Sequence, residues 1–133
     1  MKHLLLLCLL LTGLTSEAQQ NQKISTLEFV EILNENRSEA LYYYQNNWAK
    51  LRERAMAKGY IASYELLETE PGPENPVSLI LITTYADEAQ FEKREDHFSE
   101  LIREKGGLEL LNDKKPGEFR KIHSGHAKAM HLD

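Results

Sequence analysis

Aromatic side chains form the densest group in this sequence that is chemically suited to ligand binding. Tyr42, Tyr43 and Tyr44 are consecutive, Trp48 follows four residues after Tyr44, and Tyr64 lies in the next predicted element. Aromatic rings around a cavity can stack against a flat organic molecule. On a buried helix stripe the same rings would pack into the core, and we favour packing for Tyr44 and Trp48. Tyr44, Trp48 and Tyr64 are therefore candidate ligand-binding residues, with a packed core as the alternative.

Histidine supplies the second kind of chemistry. His97 lies in a predicted helix and is a candidate site residue, because a lone imidazole can act as a general base near neutral pH. The sequence identifies no partner carboxylate for it, since neighbouring Asp96 and Glu100 can simply solvate the ring. A surface histidine is the favoured alternative.

Three histidines near the C-terminus are the available soft ligands for a metal such as copper. They are His123, His126 and His131, with Met130 beside the last. Spacings of three and five residues suit neither one strand face nor one helix stripe. A polar tail over residues 125–133 is the favoured alternative, and the sequence assigns no metal ligand.

The sequence contains no nucleophile motif, no paired-carboxylate spacing and no phosphate-binding glycine loop. We therefore assign no catalytic residue and predict no cofactor. Whether the protein is an enzyme stays open.

The N-terminal segment has the order of regions of a secretory signal. A short polar start precedes an apolar run over residues 4–11, and Ser16 and Ala18 stand where a signal peptidase reads small residues. The run is too short to cross a bilayer as a helix. We predict a signal peptide over residues 1–18, an exported periplasmic or extracellular product, and a disordered lead-in over residues 19–24. A buried N-terminal helix is the alternative.

Cysteine content and charge exclude several classes of partner. Cys8 is the only cysteine and lies inside the predicted signal, so the exported chain would have no disulfide and no thiolate site. The net charge is −5, and the cationic residues are scattered among acidic ones. Binding to nucleic acid needs a basic stripe, so we do not predict it. No second apolar stretch is long enough to span a membrane.

Hydrophobic spacing and turn residues predict the elements that must position these side chains. They alternate as strand, helix, strand, strand, helix, strand, over residues 25–33, 36–58, 60–69, 77–86, 87–105 and 118–124. The first helix carries its apolar stripe at steps of three and four: Leu41, Tyr44, Trp48, Leu51 and Ala55.

Capping residues mark the predicted helix ends. Asn36 with Glu39 and Asp87 with Gln90 have the three-residue spacing of a reciprocal cap, and Gly59 ends the first helix. The order of elements is that of a ferredoxin-like α+β fold, with a four-stranded antiparallel sheet and two helices on one face. One domain over residues 25–124 follows.

Three of the four predicted strands carry apolar residues on both faces, which predicts a second buried face. Val77–Tyr85 alternates with Ile80 and Ile82 on one side, and Val30 and Ile32 share one side of the first strand. Because two helices cover only one face, we expect the other to be covered by a second copy of the chain. The predicted assembly is a homodimer.

The sequence also resembles a known superfamily. The run from Trp48 through Gly59 to Leu66, the hairpin after it, and the segment Thr83–Asp87 before a Phe-containing helix are similar to dimeric α+β barrel proteins. These include antibiotic-biosynthesis-monooxygenase-like and NIPSNAP-like proteins, and the likeness is nearest to uncharacterised secreted bacterial members. The resemblance covers about residues 25–124. It implies a homodimer with a cavity between each sheet and its helices, and no particular activity.

Three functional hypotheses follow. The first is a secreted dimeric barrel that binds a small organic molecule in an aromatic-lined cavity. The second is a cofactor-free monooxygenase or isomerase of the same superfamily, acting on an aromatic or quinone-like compound. The third is a periplasmic metal-binding protein that uses the C-terminal histidines.

Overall fold

The computed structural model describes residues 21–133, and of Ser124, His126 and Ala127 it describes the backbone alone. The predicted signal peptide over residues 1–18 lies outside this range. The chain has a mixed α+β fold built on an open antiparallel sheet, which confirms the predicted class and is compatible with a ferredoxin-like fold. Within the described range, no helix is long and apolar enough to cross a membrane.

The described strands form one sheet in the order β2-β3-β1-β4. In chain order the strands are β1 Ile24–Ile32, β2 Ser63–Glu68, β3 Leu79–Tyr85 and β4 Arg120–Met130. Strands β2 and β3 form the predicted hairpin, and β1 lies between β3 and β4, antiparallel to both. The two central strands therefore come from different parts of the sequence.

The first predicted helix lies over the predicted residues, but a π-helical turn interrupts its α-helical geometry. It consists of helix α1 Arg37–Tyr43, a π-helical turn Tyr44–Trp48 and helix α2 Ala49–Ala57. Asn36 precedes it as predicted, but its side chain makes no cap hydrogen bond and instead donates to the Glu118 carbonyl at 3.1 Å. Gly59 ends the helix with φ +71°, as its spacing predicted.

The second predicted helix is split at Lys93 into α3 Glu88–Glu92 and α4 Arg94–Lys105. Asp87 caps it as predicted, because its carboxylate accepts the Gln90 backbone N–H at 2.8 Å. The Gln90 side chain reaches back to the backbone N–H of Ala86, one residue earlier than the usual reciprocal cap. A short helix α5, Pro116–Phe119, precedes the last strand.

The last strand differs most from its prediction. It begins at Arg120 and continues to Met130, so the predicted end at Ser124 is too early and most of the predicted tail pairs with β1. Its pairing shifts register twice. Between Phe29 and Ser25, two β-bulges let β4 place three residues against every two of β1. Such irregular pairing leaves no period-2 pattern in the sequence.

The two faces of the sheet have different environments. The helices cover one face, where Val30, Leu79 and Leu81 pack with Tyr44 and Trp48. A second buried cluster on this face lies towards the other end of the helices, and it comprises Ile24, Ala55, Ile61, Tyr85, Phe91 and Leu101. The opposite face, which we call the open face, carries none of the helices that the structure describes between residues 21 and 133.

The composition of the open face corrects one prediction. Val30 is buried under the helices and Ile32 packs against the same cluster, so they do not form the second apolar face. That face is formed by the alternate residues of β1, which pair directly with β3 as Leu27↔Ile82 and Phe29↔Ile80. The sequence correctly divided β1 and β3 into two faces, but the side on which the helices pack depends on the whole chain.

Candidate functional site

Three of the four candidate residues come together, and they do so in the core. Tyr44 and Trp48 are 1% and 9% exposed, and Tyr64 packs against the same cluster. The Trp48 and Tyr64 rings meet edge to face with centroids 5.8 Å apart, a favoured aromatic geometry. These rings contact one another and the sheet, as the packing alternative anticipated for Tyr44 and Trp48.

The Tyr44 hydroxyl is the polar group of this cluster. Burial raises the pKa of Tyr44 above its ordinary value of 10.0, although Arg120 donates to its hydroxyl at 2.7 Å and opposes the shift. Arg120 also lies over the Tyr43 ring at 5.0 Å. A neutral hydroxyl with a fixed donor suits a structural role.

The π-helical turn is pinned by Asn47, whose side chain is fully used. Its amide donates to the carbonyls of Tyr43 at 2.9 Å and Glu109 at 2.8 Å. Its carbonyl oxygen accepts from the Glu109 backbone N–H at 2.8 Å and from the Lys105 ammonium at 2.9 Å. Asn47, 3% exposed, therefore fixes the loop after α4 to the first helix.

His97 lies apart from the other candidates, at the surface of α4. Its ring stacks on Tyr60 with centroids 3.6 Å apart and planes 7° apart. The Tyr60 hydroxyl donates to Glu100 at 2.8 Å, and Lys58 bridges Glu100 and Glu104. The buried Nδ1 of His97 has no hydrogen-bond partner among the described residues.

A pocket of about 480 Å³ lies between the sheet and helices α2 and α4. None of the four sequence candidates lines it. Its walls come from three strands and two helices: Thr26, Leu27, Glu28, Leu51, Arg52, Tyr85, Arg94, Glu95, Phe98, Ile102, Ile122 and Gly125. The volume is within the usual range for small-molecule sites. We call it the inter-layer pocket.

Arg52 is the central polar group of the inter-layer pocket. Its guanidinium carbon lies 4.4 Å from the centroid of the Trp48 ring and 4.4 Å from that of Phe98. Its Nε donates to the Thr83 hydroxyl at 3.2 Å. Burial lowers the pKa of Arg52 from 12.5 to about 10, with Tyr85 and Glu28 partly opposing the shift. The residue remains a cation at neutral pH.

Arg94 and Tyr85 complete the polar lining. Arg94 lies over the Phe91 ring at 3.9 Å and donates to the Phe91 carbonyl at 3.0 Å, while its Nε is 3.8 Å from Glu95. Tyr85 is 3% exposed, and burial raises its pKa above 10.0. The pocket therefore holds two guanidinium groups, a neutral phenol and the exposed carboxylates of Glu28 and Glu95.

Gly125 closes one wall because the backbone of β1 approaches it closely. A Cβ added at Gly125 would lie 2.2 Å from the carbonyl oxygen of Leu27, a distance that no real side chain tolerates. The residue lies where the pairing of β1 and β4 is irregular. Glycine is thus required at this bulge for the two strands to stay paired.

Two of the C-terminal histidines, His123 and His131, contact side chains of strand β1, and the side chain of His126 lies outside the described part of the structure. His123 Nε2 lies 2.7 Å from Glu31, and His131 Nε2 lies 2.8 Å from the Ser25 hydroxyl. The Ser25 hydroxyl is in turn 2.7 Å from that of Thr84. Over the side chains that the structure describes, no group of three or more His, Cys, Asp or Glu could hold a metal ion. The metal-binding hypothesis gains no support from this arrangement.

Sequence reasoning missed Arg52, and the signal for it was weak. Arg52 stands four residues after Trp48 and directly after Leu51, so it borders the buried stripe. In the sequence it is one of several cations in the C-terminal half of the helix, where the helix dipole favours positive charge. Arg94, in contrast, could be found, because its stem borders the stripe that includes Phe91 and Phe98.

No protein-family model, curated protein or solved structure matches this chain.

Proposed function

We propose that this protein is an exported homodimer of the dimeric α+β barrel type that binds a small organic molecule in the inter-layer pocket. The observation that carries the proposal is the pocket itself. It combines a volume of about 480 Å³ with a lining that mixes apolar and charged side chains, among them the half-buried guanidinium of Arg52. A small-molecule site needs apolar contact area together with a few placed polar groups, and this lining supplies both.

The arrangement of elements supports the superfamily. Helices on one face of an antiparallel sheet in the order β2-β3-β1-β4 leave a cavity between the layers and an uncovered opposite face. The resemblance of the sequence implied the cavity, and the predicted order of elements implied the uncovered face. Compared with the aromatic-lined cavity predicted from the sequence, the proposed site moves from Tyr44, Trp48 and Tyr64 to the neighbouring Arg52.

Native mass spectrometry of protein purified from its own cell envelope tests ligand binding. We expect a retained organic molecule that is released on unfolding. Trp48 is the only tryptophan and contacts Arg52, so its fluorescence should respond to ligands added to the emptied protein. A bare mass, together with unchanged fluorescence across a panel of small aromatic compounds, would contradict the proposal.

The open face supports the homodimer. Its centre is apolar, and its residues fall in cross-strand pairs: Leu67↔Ile80, Phe29↔Ile80 and Leu27↔Ile82. Four of these side chains are only half-buried and Leu67 is 44% exposed. A contiguous apolar face on a small protein usually marks an interface, and a second copy covers it without requiring any other protein.

Sedimentation equilibrium tests the dimer. We expect the exported chain to sediment at twice its monomer mass of about 13 kDa, the value left after loss of the signal segment. Ile82→Asp should give a folded monomer, while Met56→Asp, at a position 45% exposed on α2, should leave the dimer intact. A wild-type monomer would overturn the dimer and weaken the superfamily assignment.

Export rests on the polar start, the apolar run and the small residues Ser16 and Ala18. N-terminal sequencing of the native protein from the cell envelope should begin at or near Gln19. Recovery of a chain that keeps Met1 in a cytoplasmic fraction would contradict this part of the proposal.

One observation favours a second candidate, a cofactor-free isomerase. Glu28 lines the same pocket as Arg52, is exposed and has no described hydrogen-bond or ion-pair partner. A carboxylate can remove a proton from the carbon atom next to a carbonyl group, and a nearby guanidinium can stabilise the enolate oxygen that results. Return of that proton from the carboxyl group to another carbon atom of the same molecule completes an isomerisation. For an isomerase, Glu28→Gln should abolish turnover and keep binding, while Glu53→Gln on the helix surface should change neither. Unaltered turnover in Glu28→Gln would exclude this role.

A further inference from the structure

The hydrogen-bonding capacity of Arg52 is mostly unused. A guanidinium has five N–H donors, and only Nε–H has a described acceptor, the Thr83 hydroxyl. Neither Nη group has an acceptor among the described residues, and neither is sealed from solvent. Because Arg52 lines the inter-layer pocket, its unused donors are accessible from that pocket.

The guanidinium of Arg52 also makes no close ion pair. Among the described residues, no carboxylate oxygen lies within 4.0 Å of its nitrogens, whereas Arg37, Lys58 and Arg94 each have at least one within that distance. Two aromatic rings contact the guanidinium and restrict access to its planar faces. Its edge, which carries the Nη donors, matches the geometry of a planar two-oxygen acceptor.

The acidic residues at the pocket do not replace such an acceptor. Glu28 is exposed, and the Glu95 side chain is 84% exposed and lies next to Arg94. Exposed carboxylates are screened by water and salt, while interactions of the half-buried Arg52 are screened less. An anion in direct contact with Arg52 therefore gains more electrostatic stabilisation than an anion beside the exposed rim of the pocket.

We infer that the inter-layer pocket takes an organic carboxylate, with its two oxygens on the Nη groups of Arg52 and its apolar body against Phe98, Ile102 and Ile122. This inference names the ligand class and rests on the proposed function. The apolar residues supply contact area, and Arg52 supplies charge selection. A neutral molecule of the same shape would leave the guanidinium without an anion, and a cation would be repelled.

Isothermal titration calorimetry with two matched probes tests the inference on the wild-type protein. Cinnamate is the anionic probe, and cinnamamide has the same body with no charge. We expect cinnamate to bind about 10- to 100-fold more tightly, the effect of hydrogen bonds made to an ionised group in a partly desolvated site. Equal affinities would contradict the preference for a carboxylate, but they would leave the proposal of a small-molecule pocket intact.

Two variants locate the charge. Arg52→Met keeps an apolar stem of similar length, and Arg54→Met removes an exposed cation from the same helix. The first should remove the preference for cinnamate over cinnamamide, and the second should preserve it. A preference that persists in a folded Arg52→Met protein would overturn the role of Arg52. If that variant fails to fold, the wild-type comparison of the two probes still decides.

Failure of the proposed function has a different signature. Absence of heat from either probe up to about 10 mM, well above the range of a specific site, together with a bare native mass, would remove both the pocket and its anion. Binding of both probes with equal affinity would contradict only the inference that the ligand is a carboxylate.

Discussion

Two neighbouring segments of the first helix use aromatic residues in opposite ways. Around Tyr44 and Trp48, rings pack against one another and against the sheet until little exposed surface remains. One turn later, the rings of Trp48 and Phe98 pack against the charge of Arg52, and a pocket of about 480 Å³ stays open beside it. The same helix thus contributes to a core through Tyr44 and Trp48, and to a pocket through Arg52, which borders the buried stripe.

The facing strands decide which outcome occurs. Opposite Tyr44 and Trp48, the sheet presents Val30, Leu79 and Leu81, whose branched side chains fill the space. The pocket end of β1 instead presents two short or charged residues, Thr26 and Glu28, and β3 presents Thr83. A gap between layers follows when small and polar side chains face a helix that carries a long cation.

The largest expected effect is in the core around Trp48. Trp48→Ala should lower the free energy of unfolding by about 3–5 kcal/mol, because it removes a large buried ring and leaves a cavity. Urea denaturation of the variant measures this loss. Leu108→Ala, at a position 58% exposed, is the control and should change stability by less than about 0.5 kcal/mol. A loss under about 1 kcal/mol for Trp48→Ala would mean that its surroundings are open like the pocket.

The next effect is on the pocket wall. Gly125→Ala should cost about 1–3 kcal/mol, since the added methyl collides with the Leu27 carbonyl and forces β1 and β4 apart. Urea denaturation and amide hydrogen exchange in β4 measure the stability and the pairing. Gly107→Ala meets no atom within 4 Å and should be nearly neutral. Equal stability of the two variants would show that the close approach at Gly125 relaxes freely.

A smaller effect is expected at the centre of the pocket. Arg52→Met should change the free energy of unfolding by less than about 1 kcal/mol, because the lost ring contacts are offset by relief of a desolvated charge. The contrast with Trp48→Ala, one helical turn away, separates a site residue from a core residue. Destabilisation of Arg52→Met by as much as Trp48→Ala in urea would make the guanidinium a structural group instead.

The smallest effect concerns the surface cluster that contains His97. The Lys58 and Tyr60 hydrogen bonds lower the pKa of Glu100 below its ordinary value of 4.5. A lowered carboxyl pKa contributes stability above the unfolded value, and that contribution is lost as pH falls through the folded value. Thermal midpoints should therefore fall less steeply on acidification for Glu100→Gln than for wild type. Parallel curves for the two proteins would show that the ion pair is too exposed to matter.

Much of the fold could be predicted from local patterns. The stripe from Leu41 to Ala55, the hairpin and the ends set by Asp87 and Gly59 depend on residues near one another in sequence. Local rules failed for β4, where bulges place His123, His126 and Ala129 opposite Phe29, Leu27 and Ser25. Every third residue of β4 therefore faces every second residue of β1, whereas regular pairing would place every second residue of β4 there.

The sequence by itself determined the α+β class, the alternation of faces along β1 and β3 and the burial of Tyr44 and Trp48, because these follow from hydrophobic periodicity and capping. Only the tertiary structure decided that β1 turns Val30 to the helices and Phe29 to the open face. It also decided that Arg52 contacts Phe98 on α4 and Thr83 on the sheet, although both are more than thirty residues away in sequence. The physical reason is that the burial and contacts of a charged group between two layers depend on residues from distant parts of the chain, and no local pattern specifies those residues.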